Sequence, residues 1–179
     1  GEVIATGETS PAGGPHAEVN ALRQAGAHAG GATAVVTLEP CNHTGRTGPC
    51  TQALLDAGIA KVVYLTPDPC EPAAGGAEWL RKHGIEVVLL PIRVSSLQPW
   101  LRSVRHNRPS VTLKFASTLD GFTAAVDGTS KWITGDDARA AVHVDRTKRD
   151  AIVIGTGTAI ADNPSLTARR SDGSLYEDQ

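Results

Sequence analysis

The 179-residue sequence contains no methionine, and it has no long apolar run. A membrane-spanning helix needs roughly 20 consecutive apolar residues, and a secretory signal needs a charged and then apolar N-terminus. Neither pattern is present, so we expect neither a spanning helix nor a secretory leader. The chain starts within a strand-like apolar stretch at residues 1–5 and stops after a polar run at 171–179. Together with the missing methionine, these ends predict a portion of a longer product.

Excess charge is also lacking, and cysteine is rare. The formal net charge is −2, which provides no overall field to attract nucleic acid or an anionic membrane. The three cysteines are Cys41, Cys50 and Cys70. Their odd number fits a reducing compartment, with metal-binding or free-thiol roles, better than a disulfide framework. We therefore expect a cytoplasmic protein that binds neither nucleic acid nor membrane.

Short apolar runs alternate with helix-like segments in the first half of the sequence. The runs predict strands near residues 3–5, 33–38, 62–65 and 85–90, and the segments between them predict helices near 16–28, 50–58 and 75–83. Continuously apolar strands are typical of a parallel sheet that helices cover on both faces. The sequence therefore predicts a layered α/β fold.

The pattern changes after residue 91. The arginine-rich segment 93–108 predicts a solvated connecting helix, with a phosphate-binding surface as the alternative. Beyond it, alternating or apolar runs predict strands at 110–117 and 150–155. A helix is predicted at 136–149, with Thr134 or Asp136 as its cap, and the Asp-Gly pairs at 120–121 and 127–128 fit hairpin turns.

His16, Cys41 and Cys50 are the natural zinc ligands of this sequence. Three protein ligands leave one position for water, as in catalytic zinc sites, and a bound zinc lowers the pKa of its water to about 7. His16 and Cys50 each follow a proline at the start of a predicted helix, where backbone N–H groups favour the thiolate form of cysteine. Glu18, two residues after His16, can then reach the water and carry protons as a general acid and base.

Zinc deaminases of nucleobases use this combination, written H-x-E followed by P-C-x-x-C. Here eight residues rather than two separate Cys41 from Cys50. The resulting loop, residues 42–48, is expected to project beside the metal, where His43 and Arg46 are candidate substrate contacts. The alternative is a structural zinc with His43 as fourth ligand. Cys70 is interpreted as a loop cysteine, and the remaining histidines are given no site role.

The motifs resemble one family specifically. Residues 13–19, Gly-Gly-Pro-His-Ala-Glu-Val, and 39–50, Glu-Pro-Cys-Asn-His-Thr-Gly-Arg-Thr-Gly-Pro-Cys, are similar to the deaminase half of bifunctional riboflavin-biosynthesis deaminase/reductases. Segments 113–121, 130–135 and 154–164 resemble the start of that family's reductase domain, which is similar to dihydrofolate reductase in fold. The resemblance implies an incomplete deaminase domain at 1–92, a connector at 93–108 and an incomplete reductase domain at 109–179.

The same resemblance implies the chemistry. Zinc would deaminate 2,5-diamino-6-ribosylamino-4(3H)-pyrimidinone 5′-phosphate hydrolytically, and NADPH would then reduce the ribosyl group to ribityl. The implied NADPH contacts are Ala116, Trp132, Thr158 and Asp162. The implied substrate contacts are Ser130, Arg146, Leu166 and Arg169, of which the two arginines suit a 5′-phosphate. The partner is a small-molecule pyrimidine ribotide, and we expect a homo-oligomer.

From its residues alone, the second half is less specific. Gly155 and Gly157 follow a predicted strand, but Ile160 takes the place of the third glycine of a dinucleotide-binding fingerprint. A tight turn is the simpler interpretation. Two other functions also stay open for the chain, a different nucleobase deaminase and a non-catalytic zinc-stabilised binding module. If the 179 residues are the whole product, we do not expect reductase activity.

Overall fold

The computed structural model of the chain describes residues 1–176. The structure divides into two compact units, and the boundary between them along the chain falls between Val111 and Thr112. The expected domain boundaries at 92/93 and 108/109 stay predictions. In the described part of the chain, no helix combines the length and the apolar character needed to cross a membrane.

A three-stranded parallel sheet forms the centre of the first unit. Its strands are β1 (Thr33–Val36), β2 (Lys61–Tyr64) and β3 (Glu86–Leu89), in the order β1-β2-β3. Each parallel connection is made through a helix, as parallel pairing requires. The α/β fold predicted from the apolar runs at 33–38, 62–65 and 85–90 is confirmed.

Four α-helices belong to this unit, and each lies in a segment for which the sequence predicted a helix. They are α1 (Ala17–Ala25), α2 (Cys50–Asp56), α3 (Gly76–Lys82) and α4 (Gln98–His106). A short 3₁₀ helix, Gly26–Ala29, follows α1, and another, Ser95–Leu97, precedes α4. Helix α4 lies within the segment 93–108, for which the sequence predicted a helix.

The apolar core lies on one side of the sheet. Its fully buried members include Leu54 of α2, Leu80 of α3 and Val62 of β2. Successive residues of a strand point to opposite faces, so Val35 and Val88 lie on the other side, where they are 67% and 37% exposed. The expectation that these strands are buried on both faces is wrong for β1 and β3 in the described residues.

Three other predicted strands do not form. Residues 3–5, 110–117 and 150–155 have no strand assignment in the structure. Val3, Val111 and Val153 are 77%, 86% and 92% exposed. These segments pair with no other strand among the described residues. A strand without a partner leaves its backbone N–H and C=O groups without hydrogen bonds, so the apolar pattern alone does not produce one.

In its described residues, the second unit contains two α-helices, α5 (Asp136–Arg146) and α6 (Thr156–Asp162). The prediction of a helix at 136–149 is confirmed except for its last turn. Its predicted cap is wrong, because Gly135 occupies the N-cap position and Asp136 is already helical. The short α6 shows that the Gly155 to Gly157 segment begins a helix rather than a simple turn.

Both Asp-Gly pairs of the second unit form turns. The N–H of Gly121 donates to the carbonyl of Thr118 at 3.0 Å, and that of Gly128 donates to Ala125 at 2.9 Å. Both glycines have φ values above +80°, a conformation that glycine adopts without steric cost. The predicted turns are therefore confirmed, although the structure assigns no flanking strands to them.

Candidate metal and active site

His16 is held at the start of α1 by the loop that precedes it. It is the N-cap residue of this helix. The side-chain amide of Asn20, one turn along α1, donates to the carbonyl of Glu8 at 2.8 Å and to the hydroxyl of Ser10 at 3.0 Å. The Ser10 N–H closes the loop by donating to the carbonyl of Pro15 at 3.0 Å. The imidazole therefore projects from a loop that is tied to the first turn of the helix.

Cys41 and Cys50 meet at the start of α2. Cys50 is the first residue of this helix and is fully buried, while Cys41 is 8% exposed. The N–H of Cys50 points at the Cys41 sulfur, with 3.4 Å between N and Sγ. The N–H of Thr51 donates to the Cys41 carbonyl at 3.2 Å. Helix N-termini stabilise thiolates in this way.

Three potential ligand atoms converge where these elements meet. His16 Nδ1 lies 3.2 Å from Cys50 Sγ and 3.6 Å from Cys41 Sγ, and the three ligand atoms all lie within 4.8 Å of one another. Zn–N and Zn–S bonds of about 2.0 and 2.3 Å in a tetrahedral site place ligand atoms roughly 3.5–3.8 Å apart. The donor set therefore fits a zinc ion in both chemistry and spacing.

Glu18 lies beside this cluster without joining it. Burial raises the pKa of its carboxyl above the ordinary value, and the charge of Cys41 acts in the same direction. A backbone hydrogen bond lowers the pKa in part. Among the described residues, neither Glu18 nor His43 contributes to the set of converging ligand atoms. The converging set thus offers three protein ligands, the number that catalytic zinc sites use.

The two thiols shift each other's pKa in opposite directions. A hydrogen bond from the Cys50 side chain lowers the pKa of Cys41 to about 5, while the same bond and burial raise the pKa of Cys50. The surroundings of Cys41 therefore favour its thiolate form, which is the form of cysteine that binds metal.

A pocket of about 190 Å³ opens beside the cluster. Its lining includes His16 and Cys41 of the cluster, together with His43 and Arg46 of the loop 42–48. Its remaining lining residues are Gly13, Gly14, Gly45 and Thr47. The structure thus brings both candidate substrate contacts of this loop to the same pocket as two candidate metal ligands.

Two polar residues around Cys41 were missed in the sequence. The side-chain oxygen of Asn42 accepts a hydrogen bond from the Thr51 hydroxyl at 2.9 Å. Glu39 is 8% exposed, and its carboxylate accepts backbone hydrogen bonds. The available signal was a charged residue directly after an apolar strand, where burial requires hydrogen-bond partners.

Cys70 lies in a loop between β2 and α3, as interpreted from the sequence, and is partly buried. Among the described residues it does not belong to the cluster of converging ligands. Burial raises the pKa of its thiol, as does the charge of Asp68. Cys70 is therefore a neutral thiol at neutral pH.

The candidate NADPH contacts are spread over the second unit. Trp132 lines a pocket of about 550 Å³, together with Ser130, one of the candidate substrate contacts. Thr158 and Asp162 lie four residues apart on α6, which places them on one face of this helix. Ala116 precedes the first turn of the unit and is partly buried. In the described part of the chain, the lining of the Trp132 pocket does not include Ala116, Thr158 or Asp162.

The other candidate substrate contacts lie near α5. The Arg146 guanidinium donates to the carbonyl of Thr167 at 3.0 Å, and the Arg169 N–H donates to His143 Nδ1 at 3.2 Å. Leu166, in the same segment, has a φ of +57°. Burial and then the charges of Arg146 and Arg169 lower the pKa of His143. His143, which was given no site role, thus packs beside both arginines.

Two family models match the chain. Residues 1–66 match the cytidine and deoxycytidylate deaminase zinc-binding region, and residues 109–179 match the RibD C-terminal domain. The riboflavin biosynthesis protein RibD of Corynebacterium ammoniagenes is 62% identical over an alignment of 182 residues, which covers the whole chain and 54% of that protein. The RibD protein of Escherichia coli is 45% identical over 176 residues, covering 96% of the chain and 48% of that protein.

Solved structures agree with the sequence relatives. The diaminohydroxyphosphoribosylaminopyrimidine deaminase/5-amino-6-(5-phosphoribosylamino)uracil reductase of Thermotoga maritima matches with a TM-score of 0.87 and 44% identity, over 96% of the chain and 51% of that structure. RibD of Acinetobacter baumannii matches with a TM-score of 0.86 and 46% identity, over 99% of the chain and 50% of that structure.

The parallel sheet and the His/Cys/Cys cluster define the first unit as a deaminase fold of the zinc-binding, cytidine-deaminase class. Over its whole length the chain is similar to RibD proteins of riboflavin biosynthesis and corresponds to a part of such a protein. It spans about half the length of the curated relatives it matches. The resemblance and the two-part fold class inferred from the sequence are confirmed.

Proposed function

We propose that this chain contributes the zinc-dependent deaminase centre, and part of the NADPH-dependent reductase, of a riboflavin-biosynthesis enzyme. Its substrate is 2,5-diamino-6-ribosylamino-4(3H)-pyrimidinone 5′-phosphate. The observation that carries this proposal is the convergence of His16 Nδ1 and the two cysteine sulfurs within 4.8 Å, with Glu18 beside them. The matches to a zinc-binding deaminase region and to RibD proteins support the choice of reaction.

His16, Cys41 and Cys50 are the residues that would hold the zinc. When bound, zinc lowers the pKa of a water to about 7 and polarises it for attack at neutral pH. The Glu18 carboxylate would take the proton of the attacking water and deliver it to the amine that leaves the ring. Its raised pKa favours this role, because a general acid and base works best when its pKa lies near the working pH.

The pocket beside the cluster would hold the pyrimidine ring. We assign His43 and Arg46 as substrate contacts because both line this pocket. Both side chains offer hydrogen-bond donors, which suits a ring that carries carbonyl and amino groups. The alternative of a structural zinc with His43 as fourth ligand is disfavoured, since among the described residues His43 is not part of the converging set.

The second unit would supply part of the reductase. Its match to the RibD C-terminal domain supports NADPH as the reductant. The proposed NADPH contacts are Ala116, Trp132, Thr158 and Asp162, and the proposed substrate contacts are Ser130, Arg146, Leu166 and Arg169. Oxidation of NADPH that depends on the deaminated product tests this part.

The cytoplasmic location of the enzyme, its homo-oligomeric state and its lack of nucleic-acid binding also stay predictions.

Replacing Glu18 with glutamine tests the deaminase proposal. The amide keeps the shape of the side chain but cannot exchange protons, so turnover of the diaminopyrimidine phosphate should fall by roughly 10²–10⁴-fold, while zinc content stays at the wild-type level. Glu78→Gln, on the exposed surface of α3, is the matched control and should keep full turnover. Zinc-loaded E18Q protein with wild-type turnover would contradict the mechanism. Faster turnover of cytosine, guanine or adenosine would contradict the substrate.

A further inference from the structure

Glu39 is a buried acidic residue two positions before the candidate ligand Cys41. It follows the apolar run that contains β1 and is only 8% exposed. Its carboxylate accepts two backbone hydrogen bonds, from the N–H of Ala77 to Oε1 at 2.9 Å and from the N–H of Asp68 to Oε2 at 3.2 Å. Its own N–H donates to the carbonyl of Thr66 at 2.8 Å. One side chain therefore joins the end of β1 to two segments that are distant in sequence.

The start of α3 lies in close contact with the backbone between Glu39 and Cys41. A Cβ atom added to Gly76 would lie 1.8 Å from the carbonyl oxygen of Pro40, so only glycine permits this approach. Pro40 itself is among the fully buried residues. On the other side of Cys41, the N–H of Asn42 donates to the carbonyl of Ala73 at 3.1 Å. The backbone on both sides of Cys41 is thus fixed to the segment between β2 and α3.

Hydrogen bonds between a carboxylate and backbone N–H groups are among the stronger ones in proteins. Burying a carboxylate is unfavourable unless such bonds compensate for its lost hydration. At Glu39 both oxygens are used. In metal sites, groups that orient a ligand without touching the metal tune its affinity.

We infer that Glu39 is a positioning residue for the metal site, whose carboxylate fixes the backbone of Cys41 so that its sulfur meets His16 and Cys50. This inference rests on the proposed zinc site. The competing explanation is that Glu39 only adds stability to the fold, in the way that any buried polar contact does. The two explanations differ in what happens to the metal when the contact is lost.

The test uses the full 179-residue chain and the variants Glu39→Gln and Glu39→Ala. The amide of E39Q keeps one acceptor oxygen but offers a donor where the second acceptor was, so one of the two backbone bonds is lost. E39A loses both. Ile59→Val is the control, because Ile59 belongs to the apolar core and its truncation lowers stability without touching the Glu39 contacts. Each protein is loaded with zinc for affinity and with cobalt for the thiolate-to-cobalt absorption band.

We expect zinc affinity to fall by roughly 10–100-fold in E39A, less in E39Q, and not at all in I59V. The cobalt band should shift or weaken in the same order. Wild-type affinity and an unchanged cobalt spectrum in E39Q and E39A, whether or not their stability falls below that of I59V, would overturn the inference. If E39A does not fold, E39Q decides alone. A wild-type chain without a thiolate-to-cobalt band would instead refute the metal site, and the positioning role with it.

Discussion

His16 Nδ1 and Cys50 Sγ lie 3.2 Å apart although 34 positions separate the two residues in the chain. Each residue sits at the start of a helix, His16 at α1 and Cys50 at α2. The two helices contact each other, and Leu22 and Leu54 both belong to the apolar cluster on one side of the sheet. The N-termini of the helices therefore come together at the converging ligand atoms. The candidate metal site is thus a product of helix packing rather than of a continuous sequence motif.

Removing either cysteine of the cluster should abolish zinc binding. Cys41→Ser and Cys50→Ser each replace a thiolate with a hydroxyl that stays protonated and binds zinc poorly. We expect wild-type protein to carry one zinc per chain and each variant to carry almost none, measured by elemental analysis after dialysis. Cys70→Ser is the matched control and should keep its zinc, because Cys70 lies outside the converging set. Loss of zinc in C70S, or its retention in C41S, would contradict the ligand assignment.

Glu18 should lower the stability of the metal-free protein. Because burial raises its pKa above the ordinary value of 4.5, the folded state holds the Glu18 proton more tightly than the unfolded state does. As pH rises through 4.5, the unfolded state ionises first and the folded state loses relative stability. The loss is complete only above the folded-state pKa, and below 4.5 it disappears.

Glu18→Gln removes this ionisation. Denaturant unfolding in the presence of a chelator should therefore find E18Q more stable than wild type at pH 7, with the difference shrinking as pH falls below 4.5. Glu78→Gln at the exposed surface should not show that pattern, because its carboxyl has a lowered pKa from its hydrogen bond with Lys82. A difference between E18Q and wild type that does not vary with pH would refute the explanation.

Gly76→Ala should destabilise the first unit and weaken its metal site. The added methyl group would fall 1.8 Å from the Pro40 carbonyl oxygen, so α3 must move away from the backbone that precedes Cys41. Overpacking of this kind costs roughly 1–3 kcal/mol in unfolding free energy. Gly30→Ala is the control, because its new Cβ would meet only an ordinary contact of 3.7 Å. Equal stability of G76A and G30A in denaturant unfolding would show that the close approach is not maintained.

Truncating side chains on the two sides of the sheet should lower stability by different amounts. Leu80→Ala removes a fully buried side chain from the centre of the apolar cluster and should cost about 2–5 kcal/mol. Val35→Ala removes atoms from a side chain that is 67% exposed on the opposite side of the sheet, and it should cost far less. Comparable losses in the two variants would mean that Val35 is covered in the folded protein in solution.

Sequence patterns predicted the sheet and its helices well because both signals are local. The apolar runs of β1 to β3 and the glycines and prolines around α1 to α3 each act within a few residues. The runs at 3–5, 110–117 and 150–155 carry the same kind of signal but form no strands among the described residues. A strand needs a partner at the right register, and this partner is not encoded in the strand itself.

The candidate site could be predicted in its ligands but not in its support. Histidine and cysteine are common zinc ligands, so His16, Cys41 and Cys50 could be proposed as ligands from residue type alone. The prolines before His16 and Cys50 also indicated that these two residues begin helices. Glu39 gives no such signal, because its partners are backbone N–H groups at Ala77 and Asp68. Any residue except proline supplies an N–H, so only the tertiary structure shows which ones meet the carboxylate.

His43 and Arg46 provide the sharpest test of substrate binding. Both line the pocket beside the cluster, and among the described residues His43 is not part of the converging ligand set. If the two side chains hold the substrate, His43→Ala and Arg46→Ala should raise KM for the diaminopyrimidine phosphate while zinc content stays unchanged. Each lost hydrogen bond to a charged group is worth about 1.5–3 kcal/mol, which corresponds to roughly a tenfold to hundredfold change in kcat/KM.

Arg23→Ala is the matched control for Arg46→Ala, because it also removes one positive charge. Arg23 is exposed near the end of α1. Its KM should equal that of the wild type. If H43A loses zinc as well as activity, His43 acts on the metal rather than on the substrate. Wild-type KM in both loop variants would mean that the substrate enters from another side of the cluster, and the long spacing between the cysteines would then need a different explanation.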